Sequence, residues 1–146
     1  MIESVSKNNL EEVLPLIRSY QEFYKINNIS DSKNKKFFEQ FNEESSKGCQ
    51  FIYRENDQIV AFATVYFSYA SSIVSKVAVL NDLFTIPDCR GKGIARKLIN
   101  HCWHYAQNND SARLQWVTAP ENSAAKRLYD SMNTNQSHWD FYTYSG

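Results

Sequence analysis

The chain has 146 residues, the size of one ordinary domain, and a single domain spanning 1–146 is expected. Sixteen basic and sixteen acidic residues give zero net charge with His neutral, which argues against a general nucleic-acid binder, since that needs a basic excess to neutralise phosphates. No apolar run approaches the roughly 20 residues of a membrane span, and the opening Met1-Ile-Glu-Ser-Val-Ser lacks the pattern of a signal peptide. The three cysteines, Cys49, Cys89 and Cys102, are odd in number and scattered, which fits a reduced, cytosolic setting. His101-Cys102-x-His104 places neighbours on diverging helix faces with no second ligand pair elsewhere, so no metal site is expected.

In chain order, Ile2 to Val5 reads as a short edge strand. Ser6 to Asn9 offer N-cap oxygens ahead of a helix with Glu11 and Glu12 in its first turn, where negative charge is favourable. Leu10, Val13, Leu14, Ile17 and Tyr24 make its apolar stripe, with Tyr20 at the edge, and Pro15 lies inside it. A polar connection from Asn27 to Lys36 leads into a short helix around Lys36 to Glu44. Gln50 to Arg54 and Ile59 to Phe67 are strands, and Asn56-Asp57 between them is a hairpin turn. Tyr69 to Ser75 is a loop.

The organising stretch follows. Val77 to Ile86 is apolar on both alternating sets, Val77, Val79 and Leu83 on one side and Ala78, Leu80, Phe84 and Ile86 on the other. That is the mark of a central strand covered on both faces. Pro87-Asp88 ends it. Arg90-Gly91-Lys92-Gly93 comes next, then a helix with Ile94, Leu98, Cys102 and Ala106 four apart on one face. Asn108-Asn109-Asp110 breaks that helix, Ala112 to Thr118 returns as a strand parallel to the central one, Pro120 to Met132 is a helix, and His138 to Tyr144 closes as a strand. The expected class is α/β, a mixed and mostly antiparallel sheet flanked by helices, with one parallel pair.

A helix start carries unpaired N–H groups and partial positive charge, so it holds anions, above all phosphate. Gly91 and Gly93 let a ligand approach the backbone, and Arg90, Lys92 and Arg96 add charge. The turn is not a Walker loop, because Lys92 is followed by Gly93 and Ile94 rather than Ser or Thr. Nor is it the dinucleotide turn, because Arg96 stands where the third glycine belongs.

Arg90-Gly91-Lys92-Gly93-Ile94-Ala95 resembles the signature of the GNAT superfamily of N-acetyltransferases, and Asn122-Ser-Ala-Ala-Lys-Arg-Leu-Tyr129 is similar to a second segment of that family. The look is closest to the subgroup acting on polyamines, small amines or lysines of basic proteins. The resemblance implies a sheet whose parallel pair splays at a bulge, with acetyl-CoA in the gap. Leu83, Phe84 and Thr85 would then supply the strand edge for the pantetheine arm. Gly91, Lys92, Gly93, Ile94, Ala95 and Arg96, with Arg90, would hold the pyrophosphate, and Asn122 and Ala125 would meet the coenzyme arm. Tyr129 would protonate the departing thiolate.

An alkyl amine of pKa about 10.4 is neutral roughly once in 2,500 molecules at pH 7, which adds about 4–5 kcal/mol to the barrier. A base or a desolvating pocket must offset this. Asn81 and Asp82 are polar residues in an apolar strand. Related enzymes often have an acidic residue where Asn81 stands, and an amide is no base. Asp82 is therefore the candidate base, although strand alternation aims it at the face opposite Asn81. Phe23, Tyr24, Asn81 and Trp116, with Tyr20 and Trp139, are candidates for an acceptor pocket, since aromatic faces attract ammonium. The partner expected is an amine or lysine-bearing acceptor, with no nucleic acid and no membrane, and a homodimer contact through Trp139 to Tyr144. Two other readings stay open, a non-catalytic acyl-CoA sensor and a protein-interaction module.

Overall fold

A computed structural model describes residues 1–146. The elements run β1 (Ile2–Ser4), α1 (Leu10–Phe23), α2 (Asp31–Phe38), β2 (Gly48–Glu55), β3 (Gln58–Ala70), β4 (Ser75–Thr85), α3 (Ile94–Asn108), β5 (Leu114–Gln115) and α4 (Ser123–Asp130). Short 3-10 turns occupy Ser71–Ile73 and Pro87–Cys89. The chain divides into two compact units, Met1–Trp116 and Val117–Gly146.

The first unit holds a five-stranded sheet in the order β1-β2-β3-β4-β5. All neighbours are antiparallel except β4 and β5, which run parallel. The mixed α/β class is the one expected. Asn56 and Asp57, with φ of 51° and 64°, form the tight β2–β3 turn, whose left-handed pair matches the twist of the strands. On one face of the sheet, α1 and α2 cover Val5, Leu10, Val13, Leu14, Leu16, Ile17, Phe38, Phe41, Ile52, Phe62 and Phe84. On the other face α3 buries Ile94, Leu98, Cys102 and Ala106, the four residues its spacing singled out. There Phe51 meets His101 and Tyr105 edge-on.

Several expectations move. Leu16 is buried and Tyr24 exposed, because α2 packs beside α1 and widens its buried stripe, while Tyr24 lies past the helix end. The second helix starts at Asp31, not near Lys36, since the Ser30 hydroxyl accepts from the Lys33 N–H at 3.3 Å and caps it there. The expected strand Ala112–Thr118 shrinks to Leu114–Gln115, pairing only with Ala78 and Val79.

The largest correction lies in β4. Thr64 pairs with Asp82 but Val65 with Leu80, so Asn81 is an extra residue, a β-bulge. The bulge reverses the alternation beyond it. Phe84, paired with Phe62, joins the α1 face with Val77 and Val79, and Leu83, paired with Ala63, joins the α3 face with Ala78 and Leu80. It also places Asn81 and Asp82 side by side rather than on opposite faces, with Asn81 Nδ2 donating to Asp82 Oδ1 at 3.1 Å.

In the second unit, Asn122 caps α4 through its Oδ1, which accepts from the Ala125 N–H at 3.2 Å. The helix therefore begins after Asn122 rather than at Pro120. His138 to Tyr144 forms no strand, and Trp139, Phe141, Tyr142 and Tyr144 are exposed. Aromatic content alone does not make a strand, because its amides need a ladder partner.

Candidate active site

The bulge creates an open edge. Ala78 turns its N–H toward the β5 side, where it donates to Arg113 O at 2.9 Å, and pairing with β5 stops at Val79. Beyond the bulge, Ile86 N–H donates to Val60 O on the β3 side at 2.9 Å. Amide directions alternate along a strand, so Phe84 also faces β3, and Leu83 and Thr85 present N–H and C=O to the edge past β5. Of the three residues expected to line this edge, the main chain of Phe84 is thus engaged inside the sheet, and its ring is buried.

The glycine turn continues from that edge. Gly91 and Gly93 have φ of 78° and 81°, a region costly for any residue with a side chain, and Gly93 is the N-cap of α3. A Cβ at either position would meet no protein atom within 4 Å, so the turn opens outward. The N–H groups of Gly91, Lys92, Gly93, Ile94 and Ala95 have no acceptor in the protein; the helix ladder starts at Lys97, donating to Gly93 O at 3.1 Å. Five such donors at a helix start, with no internal carboxylate on them, fit a phosphate group. The Ile94 side chain is buried against the sheet, so only its amide is available. Arg96 and Lys97 are exposed on the first turn. Lys92 pairs with Glu55 at 3.6 Å on the surface, an interaction worth little. Arg90 Nε donates to Thr85 O at 2.9 Å, and its guanidinium lies over the Phe23 and Phe84 rings at 5.4 and 5.7 Å.

The third component is a polar row across the α1 face of the sheet. Gln50 on β2 pairs with Thr64 on β3, which pairs with Asp82 on β4. Gln50 and Thr64 are wholly buried and Asp82 is 5% exposed. Gln50 Nε2 donates to Thr64 Oγ1 at 3.4 Å, and Thr64 hydrogen-bonds the Asp82 carboxylate. Tyr20, from α1, donates its hydroxyl to Asp82 Oδ1 at 2.8 Å. Burial raises the Asp82 carboxyl above its ordinary range, and the donors Tyr20, Thr64 and Asn81 oppose that rise without cancelling it. Burial, and then the neighbouring Asp82 charge, push the Tyr20 phenol well above its usual range. Tyr66 is raised for the same two reasons, and its hydroxyl hydrogen-bonds Asn81. A carboxylate inclined to take a proton, ringed by neutral donors, has the properties of a general base.

Rings surround this row. Tyr20 meets Tyr24, Phe62 and Phe84 edge-on at 5.0, 5.4 and 5.8 Å, and Phe23 meets Tyr24 and Phe84 at 5.3 and 6.0 Å. Phe23 and Tyr24 are 57% and 58% exposed, offering faces to solvent beside Asp82's hydroxyl partner. Trp116 follows β5 directly and is half-buried. Asn81 is exposed at the bulge. In the second unit, Ala125 and Tyr129 lie one turn apart on α4, both half-buried. The cap bond occupies the Asn122 carbonyl oxygen, leaving its amide nitrogen to donate elsewhere. Gln50 and Thr64 carry no assignment from sequence; the available signal was a polar side chain inside each of two apolar strands.

No group of three or more His, Cys, Asp or Glu is placed to hold a metal ion, and no helix is long and apolar enough to cross a membrane. All three cysteines are free and buried.

Residues 13–133 match the acetyltransferase (GNAT) family. The uncharacterized N-acetyltransferase YhfO of Bacillus subtilis is 28% identical over 129 residues, which cover 88% of this chain and 85% of the relative. Thialysine N-epsilon-acetyltransferase of Caenorhabditis elegans is 24% identical over 132 residues, covering 90% and 81%. A crystal structure of a probable acetyltransferase superposes with a TM-score of 0.85 at 22% identity, covering 99% and 97% of the two chains. Aminoglycoside N-acetyltransferase AAC(6')-Iy, solved in complex with CoA, gives 0.82 at 18%, covering 99% and 93%. The short parallel seam, the glycine turn and the matched length agree, and the chain belongs to the acetyltransferase (GNAT) family as an N-acetyltransferase.

Proposed function

We propose that this enzyme moves an acetyl group from acetyl-CoA to a primary amine by direct attack in a ternary complex, the acceptor being a small amine, a polyamine or a lysine side chain. The observation that carries the reading is the continuity of an open strand edge with a turn of unaccepted amides, a slot shaped for an extended chain ending in a diphosphate. Acetyl-CoA supplies the activated acyl group as a thioester. Leu83 and Thr85 bind the pantetheine arm as a missing strand would. The amides from Gly91 to Arg96, with the Lys92 and Arg96 charges, hold the pyrophosphate. Arg90 joins them by giving up Thr85 O, which frees that carbonyl for the arm. Asn122, whose amide nitrogen is free to donate, and Ala125 are assigned to the coenzyme arm by the family resemblance.

Asp82 takes one proton from the acceptor ammonium before attack; Tyr129 gives one to the departing thiolate and regains one from the nitrogen as the adduct collapses, a donation that suits a phenol. Phe23 and Tyr24 hold the ammonium group against their faces, and Asn81 and Trp116 orient it. Relatives named for thialysine and for aminoglycosides support an amine acceptor. The reading places the enzyme in the cytoplasm, as the three free thiols suggest. It also gives the exposed aromatic segment Trp139–Tyr144 to a homodimer contact.

Calorimetry with acetyl-CoA should give a Kd on the order of tens of micromolar or tighter. Free-thiol release should then appear with at least one member of a primary-amine panel. Binding without thiol release on any amine would make the chain a sensor, and absence of binding would leave the interaction module.

A further inference from the structure

A buried base has a problem of access. The acceptor nitrogen arrives from solvent, yet Asp82 is 5% exposed. Three side chains donate to its carboxylate, and they differ in what they can relay. Thr64 is wholly buried and accepts from Gln50 on its far side. The Asn81 amide donates at 3.1 Å but does not exchange protons as an acid. Tyr66 hydrogen-bonds Asn81 rather than Asp82. Tyr24 meets the ring of Tyr20, at 5.0 Å between centroids, and has no hydrogen bond to Asp82. Arg90, over Phe23 and Phe84, is turned to Thr85 O. Tyr20 remains. Its hydroxyl is 2.8 Å from Asp82 Oδ1, and it is half-buried behind the open faces of Phe23 and Tyr24.

We propose that Tyr20 is the proton conduit between the acceptor amine and Asp82, an assignment that rests on the N-acetyltransferase reading above. The N–H bond of the substrate ammonium breaks and its proton passes to the Tyr20 oxygen. In the same event the Tyr20 O–H bond breaks and that proton passes to Asp82 Oδ1. The nitrogen keeps its electron pair and becomes the nucleophile, Tyr20 ends as a neutral phenol, and Asp82 ends as a carboxylic acid. Once the amide product leaves, the reverse transfer delivers the proton to water. The surroundings require the two transfers to be coupled, since burial disfavours a free Tyr20 phenolate. Thr64 and Gln50 hold the carboxylate in place.

The test uses the full chain, acetyl-CoA and the primary amine that turns over fastest in the panel. Tyr20→Phe keeps the ring and its contacts with Tyr24, Phe62 and Phe84. Its kcat/KM should fall about 100-fold near pH 7. The deficit should shrink to within about threefold as the pH approaches the amine's own pKa, because up to half of the amine is then already neutral. The double variant with Asp82→Asn should be no slower than the worse single variant, as expected of groups that act in series. A deficit of equal size at every pH, an absent deficit, or multiplying losses in the double variant overturns the conduit. Should Tyr20→Phe misfold, a proton inventory of the wild type in mixed light and heavy water decides. A bowed plot reports two protons in flight, and a straight one refutes the relay. A wild type that releases no thiol with any amine refutes the N-acetyltransferase reading itself, which is a different failure.

Discussion

Gly93→Ala separates what the turn does for the fold from what it does for the ligand. Gly93 sits at φ 81° as the N-cap of α3, and a Cβ there meets nothing within 4 Å. The fold therefore suffers only the backbone term, about 1–2 kcal/mol for a side-chain-bearing residue in the left-handed region. A 146-residue chain unfolds with an entropy of about 0.3 kcal/mol per kelvin, so the melting temperature should drop by about 3–7 °C and no more. The ligand loses more. The added methyl stands in the opening toward which the turn amides point. Displacing one charge-assisted bond at about 1.5–3 kcal/mol weakens acetyl-CoA about 10- to 150-fold. Scanning calorimetry gives the first number and titration calorimetry the second. A variant that melts as expected yet binds acetyl-CoA as the wild type does would show that phosphate is not held at this turn.

Asp82→Asn should lower turnover by about 100-fold or more while protecting the fold at neutral pH. Because the folded carboxyl is raised, the folded chain holds the proton more tightly than the unfolded one, so stability is fully present below the ordinary carboxylate range and declines as pH climbs through the raised value. Urea midpoints between about pH 4 and about pH 8 should fall less in the variant than in the wild type; equal slopes would deny the burial penalty. Tyr129→Phe should slow turnover at least about tenfold without unfolding the chain, as circular dichroism would check, and an unchanged rate would remove it from the mechanism. Gly48→Ala places a Cβ 2.0 Å from Val65 O at φ 146°, so it should cost about 3 kcal/mol, read as a shifted denaturant midpoint with activity per folded molecule retained.

Much of the fold was legible because it rests on short-range pattern. The fourfold spacing of Ile94, Leu98, Cys102 and Ala106 belongs to one helix and needs no tertiary knowledge. The glycine turn was legible for the same reason, since positive φ and helix starts leave local signatures. The bulge was not, because counting alternate residues assumes one residue per step and Asn81 breaks the count. That single insertion misassigned Leu83, Phe84 and the direction of Asp82. The Tyr20–Asp82 bond joins residues 62 apart, and no periodicity carries such information. The closing strand failed for the opposite reason. His138 to Tyr144 has the composition of a strand, but pairing is a property of neighbours.

The two-residue seam between β4 and β5 has a consequence for the resting molecule. Over its second half β4 is in effect a sheet border facing outward, and bare borders invite neighbouring polypeptides to dock on them. Coenzyme occupancy would close that border much as a guest strand does. On the proposed reading, the acyl donor in this slot would also guard against self-association, and its depletion would leave the border uncovered.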